Sequence, residues 1–212
     1  MDGIRQRIEN AADQFGYSLG WRLLYSPIDV IRGARVAFLG LNPGGDSPEP
    51  HRDGIARPSG SAYVEEEWKG FRPGMAPLQK QVLALFEKLR VAPERVLAGN
   101  IVPFRSPDWK SLPHKDHALR LGYEVWRQLL VAAKPELVIA MGSDAHEPVL
   151  KLTGASAVRS VPLGWGNVRV VAADAPGLRV VTLPHLSRYR VVDRAESQSA
   201  LAQAFGASWH QP

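Results

Sequence analysis

Arg35-Val36-Ala37-Phe38-Leu39-Gly40-Leu41-Asn42-Pro43-Gly44-Gly45 decides how the rest of the 212-residue chain is read. A continuous apolar run ends abruptly in Gly, Asn, Pro and Gly, the pattern of a buried strand that delivers a tight polar loop. In open α/β sheets, ligands occupy the crevice beyond the carboxyl ends of the strands. Asn42 stands at that place, so the question is which other segments bring polar groups to the same crevice.

Two further apolar runs repeat the design. Arg95-Val96-Leu97-Ala98-Gly99-Asn100-Ile101-Val102-Pro103-Phe104 is strand-like and interrupted by one amide, and Glu136-Leu137-Val138-Ile139-Ala140-Met141-Gly142 is a third strand. Residues 167–183 read as a β-hairpin turning at Asp174-Ala175-Pro176-Gly177. Its returning strand runs into Pro184-His185-Leu186-Ser187-Arg188-Tyr189-Arg190.

Between these runs, apolar residues recur at helical spacing. Helices are predicted over 2–16, with Ile4, Ile8, Ala11, Ala12 and Phe15 in one stripe, and over 77–90, with Leu78, Val82, Leu85, Phe86 and Leu89. Another spans 114–133, with Leu119, Trp126, Leu129 and Leu130 buried. A short helix capped by Ser143-Asp144 ends near Gly154, and a last one covers 194–205. The alternation predicts an α/β fold: a three-layer α/β/α sandwich with a central, mostly parallel four-stranded sheet plus a β-hairpin. Residues 1–212 form one domain in this reading, with 1–34 an N-terminal helical extension packed on it. Residues 46–77 make a long polar connection rich in Pro and Gly, a length that in a compact domain is usually either functional or disordered.

Composition narrows the chemistry. There is no cysteine, which rules out a disulfide framework, a thiol nucleophile and cysteine-held zinc or iron–sulfur clusters. The formal charge of +5 is compatible with a polyanionic partner such as nucleic acid. No apolar stretch approaches a membrane span, and the first residues lack the apolar core of a secretory signal, so a cytoplasmic location without membrane contact is expected. His114, Asp116 and His117 lack a matching ligand cluster, and no metal or cofactor is expected. Neither a G-x-S-x-G elbow nor a G-x-G-x-x-G fingerprint is present.

Three strand ends therefore carry candidate chemistry: Asn42, Asn100 and His185. Each has an ordinary structural reading as well. Asn42 before a proline can initiate a turn, Asn100 can satisfy loop groups, and His185 can bond a carbonyl. Together they would share one cleft.

At these residues the sequence resembles the uracil-DNA glycosylase superfamily. Gly40-Leu41-Asn42-Pro43-Gly44 resembles its first motif, in the G-x-N-P-G form of the mismatch-specific and single-strand-selective branches. Asn100-Ile101-Val102 followed by Arg105-Ser106-Pro107 is similar to the superfamily's strand-end Asn segment. His185-Leu186-Ser187 resembles the second motif, with Leu186 where proline is usual. The ordered trio covers about residues 35–190.

The resemblance implies a monofunctional DNA glycosylase for uracil or a related deaminated or mismatched base, working in base excision repair as a monomer. Asn42 would position the attacking water and His185 would stabilise the departing base. Asn100 would read the base edge, with Leu41 and Gly44 at the same pocket. Gly44 stands where the uracil-restricted branch carries a bulky aromatic that excludes thymine. Tyr63, Trp68 or Phe71 would stack on the flipped base, or else anchor the loop. Ser187, Arg188, Tyr189, Arg190 and Arg105 would contact DNA, although a solvated basic turn explains Arg188, Tyr189 and Arg190 equally well. A catalytically silent nucleic-acid or nucleobase binder of the same fold is the alternative, and a small-molecule hydrolase is a third.

Overall fold

Helices α1 (Asp2–Phe15), α2 (Ala62–Glu65), α3 (Pro77–Lys88), α4 (Lys115–Ala133), α5 (His146–Thr153) and α6 (Gln198–Phe205) alternate with six strands. The strands are β1 (Val36–Gly40), β2 (Leu97–Asn100), β3 (Leu137–Met141), β4 (Ser156–Pro162), β5 (Arg169–Ala175) and β6 (Leu178–Leu183). The structure is a computed structural model and describes residues 1–48 and 54–210. Part of the long 46–77 connection, residues 49–53, lies outside the described residues.

Every residue of β1 is buried, and its side chains alternate between two apolar layers as a strand's period of two requires. Ala37 and Leu39 join Ile4 and Ile8 of α1, Trp126 and Leu129 of α4 and Val149 of α5. Val36 and Phe38 join Val82, Leu85 and Phe86 of α3 and Leu201 and Phe205 of α6. The rings of Phe38 and Phe86 meet edge to face at 5.6 Å. One sheet is thus covered by helices on both faces.

The sheet order is β2-β1-β3-β6-β5-β4. Neighbours from β2 to β6 are parallel, whereas β5 and β4 are added by antiparallel pairing. This corrects the expected four strands plus a hairpin: the hairpin continues the sheet, and Ser156–Pro162 supplies a sixth strand. That strand lies on the sheet's edge and is exposed along nearly its whole length. It has no buried face, so it lacks the alternating apolar pattern that reveals a strand.

Two smaller differences concern helix ends. Ser143 and Asp144 lie in a short 3₁₀ turn, and α5 begins at His146 without a side-chain cap. Leu119 and Leu130 flank the buried stripe of α4, which is centred on Leu121, Val125, Trp126 and Leu129.

Register decides where chemistry is presented. Gly40 pairs with Asn100, Leu39 with Ala140, and Met141 with Leu183, so the parallel strands end nearly level. Asn42, Gly142 and His185 each follow one of these ends by one or two residues.

Candidate active site

Asn42 sits on a loop zipped to the segment that follows β2. Ser106 N donates to Pro43 O at 3.1 Å and Gly45 N donates to Ser106 O at 3.1 Å. Among the described residues the Asn42 carboxamide is held by acceptors: Nδ2 donates to Ser106 Oγ at 2.7 Å, Pro43 O at 3.2 Å and Phe104 O at 3.5 Å. Ser106 gives its own proton to Asp108 O at 2.7 Å, so its oxygen must accept from Asn42. The amide therefore has one orientation, with Oδ1 left as an acceptor.

Asn100 closes β2 and is 4 % exposed. Its Nδ2 donates to the Tyr25 hydroxyl at 2.9 Å, and its backbone carbonyl accepts from Trp126 Nε1 at 2.7 Å. Asn100 Oδ1 lies against Gly40, where a Cβ would come within 2.4 Å of it. Glycine in the first motif thus makes room for the neighbouring amide.

His185 follows β6 by two residues, on a loop anchored by Leu186, which is 1 % exposed. Ser187 N donates to His185 Nδ1 at 3.3 Å, and Ser187 Oγ lies 2.8 Å from the same nitrogen. A backbone N–H can only donate, so Nδ1 accepts and the neutral ring carries its proton on Nε2. Burial lowers the His185 pKa from the usual 6.5; Arg188 and Lys69 lower it further and Asp144 opposes them. Gly142, at φ 94, leaves space beside the ring, since a Cβ there would approach His185 Cδ2 to 3.3 Å.

The sheet order puts β3 alone between the strands that deliver Asn42 and His185. At the usual strand spacing, the two strand ends lie about 10 Å apart. Asn100 ends β2, on the other side of β1 from β3. The model of the uracil DNA glycosylase superfamily matches residues 29–207 of this chain. The chain belongs to that superfamily.

The other residues singled out in this superfamily member occupy different settings. Leu41 is buried beside the first motif, and its carbonyl accepts from Val102 N at 2.8 Å. Among the described residues, no atom lies within 4 Å of a Cβ built on Gly44. Tyr63 is 2 % exposed and packs against Phe38, Phe86, Tyr25 and Trp68, where burial holds its phenol pKa well above 10. Phe71, by contrast, is 45 % exposed. Arg105 lies under the glycine loop, 7 % exposed, and donates to Gly44 O at 2.9 Å. Ser187, Arg188, Tyr189 and Arg190 are displayed on the surface after His185.

Sequence reasoning missed Tyr25 as the partner of Asn100, because it lies upstream of every motif. It also missed the clasp that fixes the 54–71 segment. Glu66 accepts both guanidinium nitrogens of Arg22, at 2.7 and 2.8 Å, and the indole N–H of Trp68 at 3.1 Å. Arg57 bonds Glu66 and Glu65. Burial raises the Glu66 pKa, but the hydrogen bonds and charge of Arg22, with Trp68 and Arg57, bring it down to about 2.

No cluster of three or more His, Cys, Asp or Glu among the described residues is placed to hold a metal ion. No helix among the described residues is long and apolar enough to cross a membrane. No curated protein matches the chain. The chain is similar to a crystal structure of a domain of unknown function from Bordetella bronchiseptica, solved with bound citrate as a domain-swapped dimer. The identity is 14 % and the TM-score 0.37, over 85 % of this chain and 42 % of that one. The chain thus spans less than half the length of that structure.

Proposed function

We propose that this superfamily member is a monofunctional DNA N-glycosylase of the G-x-N-P-G type, acting on uracil or a related deaminated or mismatched base. One observation carries the reading. Two preset groups flank a single strand end: Asn42 with its acceptor oxygen, and His185 with its Nε2–H, each without a hydrogen-bond partner among the described residues.

Their chemistry is complementary. The target nucleotide leaves the base stack, at roughly a few kcal/mol and least for mismatched or damaged bases. Asn42 Oδ1 accepts a hydrogen from water and aims the water oxygen at C1′ of the sugar. An amide is too weak a base to remove the proton early, so its contribution is orientation. The C1′–N bond breaks with its electron pair going to the base, water oxygen bonds C1′, and the water proton passes to solvent. His185 Nε2–H donates to the carbonyl oxygen on which the negative charge develops. Asn100 reads the base edge. Gly44 leaves the pocket wall open to substituents that an aromatic would exclude. Ser187, Arg188, Tyr189 and Arg190 meet the DNA strand.

The test is incubation with labelled DNA carrying a single uracil, hypoxanthine or mismatched thymine, followed by alkali. Strand breakage at the lesion is expected. Intact strands for every lesion at high enzyme excess would sink the proposal, and lesion binding without base release would favour a catalytically silent homologue.

A further inference from the structure

His185 forms one end of a groove of about 560 Å³ that runs outward over β6 toward β5. Ser143 and His146 line one side, and Asn167 and Arg169 the other, with Arg188 and Tyr189 beside His185. None of the lining residues is acidic. Glu147, at 3.9 Å from His146 Nε2, is a rim residue with its side chain 86 % exposed.

The walls are built rather than loose. Arg169 is tied to the neighbouring strand through Ser160, with Nε donating to Oγ at 2.7 Å and Nη2 to the carbonyl at 3.0 Å. Its Nη1 has no partner among the described residues. The loop before it is closed by Leu163 N donating to Val168 O at 2.9 Å and pinned by Trp165 Nε1 on Ser197 Oγ at 2.8 Å. Tyr189 leans on Trp165 at 6.2 Å and is 40 % exposed, which leaves its ring for a ligand. Across the groove, His146 Nδ1 is fixed 2.8 Å from Thr182 Oγ1.

A ligand here meets two guanidinium groups, a carboxamide, a hydroxyl and an aromatic ring. That set suits a phosphodiester with a base able to stack, since phosphate favours charged donors and every base offers a π-face. The volume suits one or two nucleotides. We infer that this groove holds the DNA strand next to the reactive nucleotide, with Arg169 on a phosphate and Tyr189 under the flanking base. The antiparallel strand β5, with Arg169 braced by Ser160 of β4, thereby extends the DNA footprint beyond the motif loops. The inference rests on the glycosylase reading above.

Binding of uracil-containing oligonucleotides across a salt series tests it, with Arg169→Gln compared against the native chain. Arg35→Gln is the charge-matched control, at the opposite, amino-terminal end of β1. Arg169→Gln should bind about tenfold more weakly, with a salt slope smaller by about one, the mark of a lost phosphate contact. Its single-turnover rate at saturation should be unchanged, and Arg35→Gln should bind like the native chain. Oligonucleotides cut back on the side that fills the groove should lose at least that affinity with the native chain, and less with Arg169→Gln, which keeps only the Tyr189 stacking to lose. If the native chain binds and Arg169→Gln matches it in affinity and slope, the groove assignment is overturned and the glycosylase reading stands. If the native chain binds no DNA at all, both fall.

Discussion

Ser106 Oγ accepts the Asn42 Nδ2 hydrogen at 2.7 Å while donating its own proton to Asp108 O, so the serine dictates which end of the amide remains for water. Asn42→Ala should lower the chemical step by roughly 10²–10⁴, the scale of removing one catalytic group. Ser106→Ala leaves the amide in place but loosens its orientation, for a loss of about tenfold, the worth of one modest hydrogen bond. Single-turnover rates at saturating enzyme measure both. Equal losses from the two substitutions would contradict a positioning role for Ser106.

Gly44 is a glycine that packing does not demand. A Cβ there meets no described atom within 4 Å, and its backbone is outside the left-handed region, unlike Gly45 at φ 146. Gly44→Phe should therefore fold with an unchanged Tm and close part of the base pocket. The expected signature is selective: activity on 5-substituted pyrimidines falls further than activity on uracil. Parallel loss on all lesions would mean that residue 44 is not a wall of the pocket.

Much of this was legible because β1 and its loop obey strong local rules. A fully buried five-residue strand has to be apolar throughout, and the turn that follows has to be Gly, Asn and Pro. β2 and β3 are likewise buried throughout, and β6 is buried over its last four residues; their ends lead to Asn100, Gly142 and His185. Edge strand β4 obeys no such rule, because exposure frees its sequence, and it went unseen. Tyr25 and the Arg22–Glu66 pair were hidden for another reason. Their partners lie 75 and 44 residues away, and long-range polar pairing leaves no periodicity in the chain.

Tyr25 holds Asn100 through one hydrogen bond and is covered by the Arg22 guanidinium at 4.6 Å from its ring centre. Tyr25→Phe keeps the ring and the stacking but removes the hydroxyl. Base recognition should suffer more than chemistry, with KM rising several-fold and kcat nearly constant, as expected when one modest hydrogen bond is lost. An unchanged KM across the lesion panel would separate Asn100 from base reading.

His185 must be neutral for Nδ1 to accept from Ser187 and Nε2–H to donate. Its pKa lies below 6.5, because burial, Arg188 and Lys69 outweigh Asp144. The acid limb of kcat/KM should therefore fall below pH 6.5, with activity flat above it. Removing a cation next to the ring favours its protonation, so Lys69→Gln should move that limb upward. A pH profile of both proteins decides the matter, and a limb that stays fixed would assign the titration to another group.

Glu66 is the hub of the clasp on the 54–71 segment, and its partner Arg22 has a side chain only 7 % exposed. A buried guanidinium that loses its carboxylate keeps its desolvation cost without compensation. Glu66→Gln should therefore destabilise the fold by roughly 3 kcal/mol, the lower end for breaking a buried pair by removing one partner. The pH dependence carries a sign of its own. The folded pKa of about 2 lies below the ordinary 4.5, so the pair contributes fully above pH 4.5 and fades as the pH falls toward 2. Urea unfolding at pH 7 and pH 3 should show a smaller gap between Glu66→Gln and the native chain at the lower pH. A gap that is the same at both would remove the Arg22–Glu66 charge pair as the source of the stability.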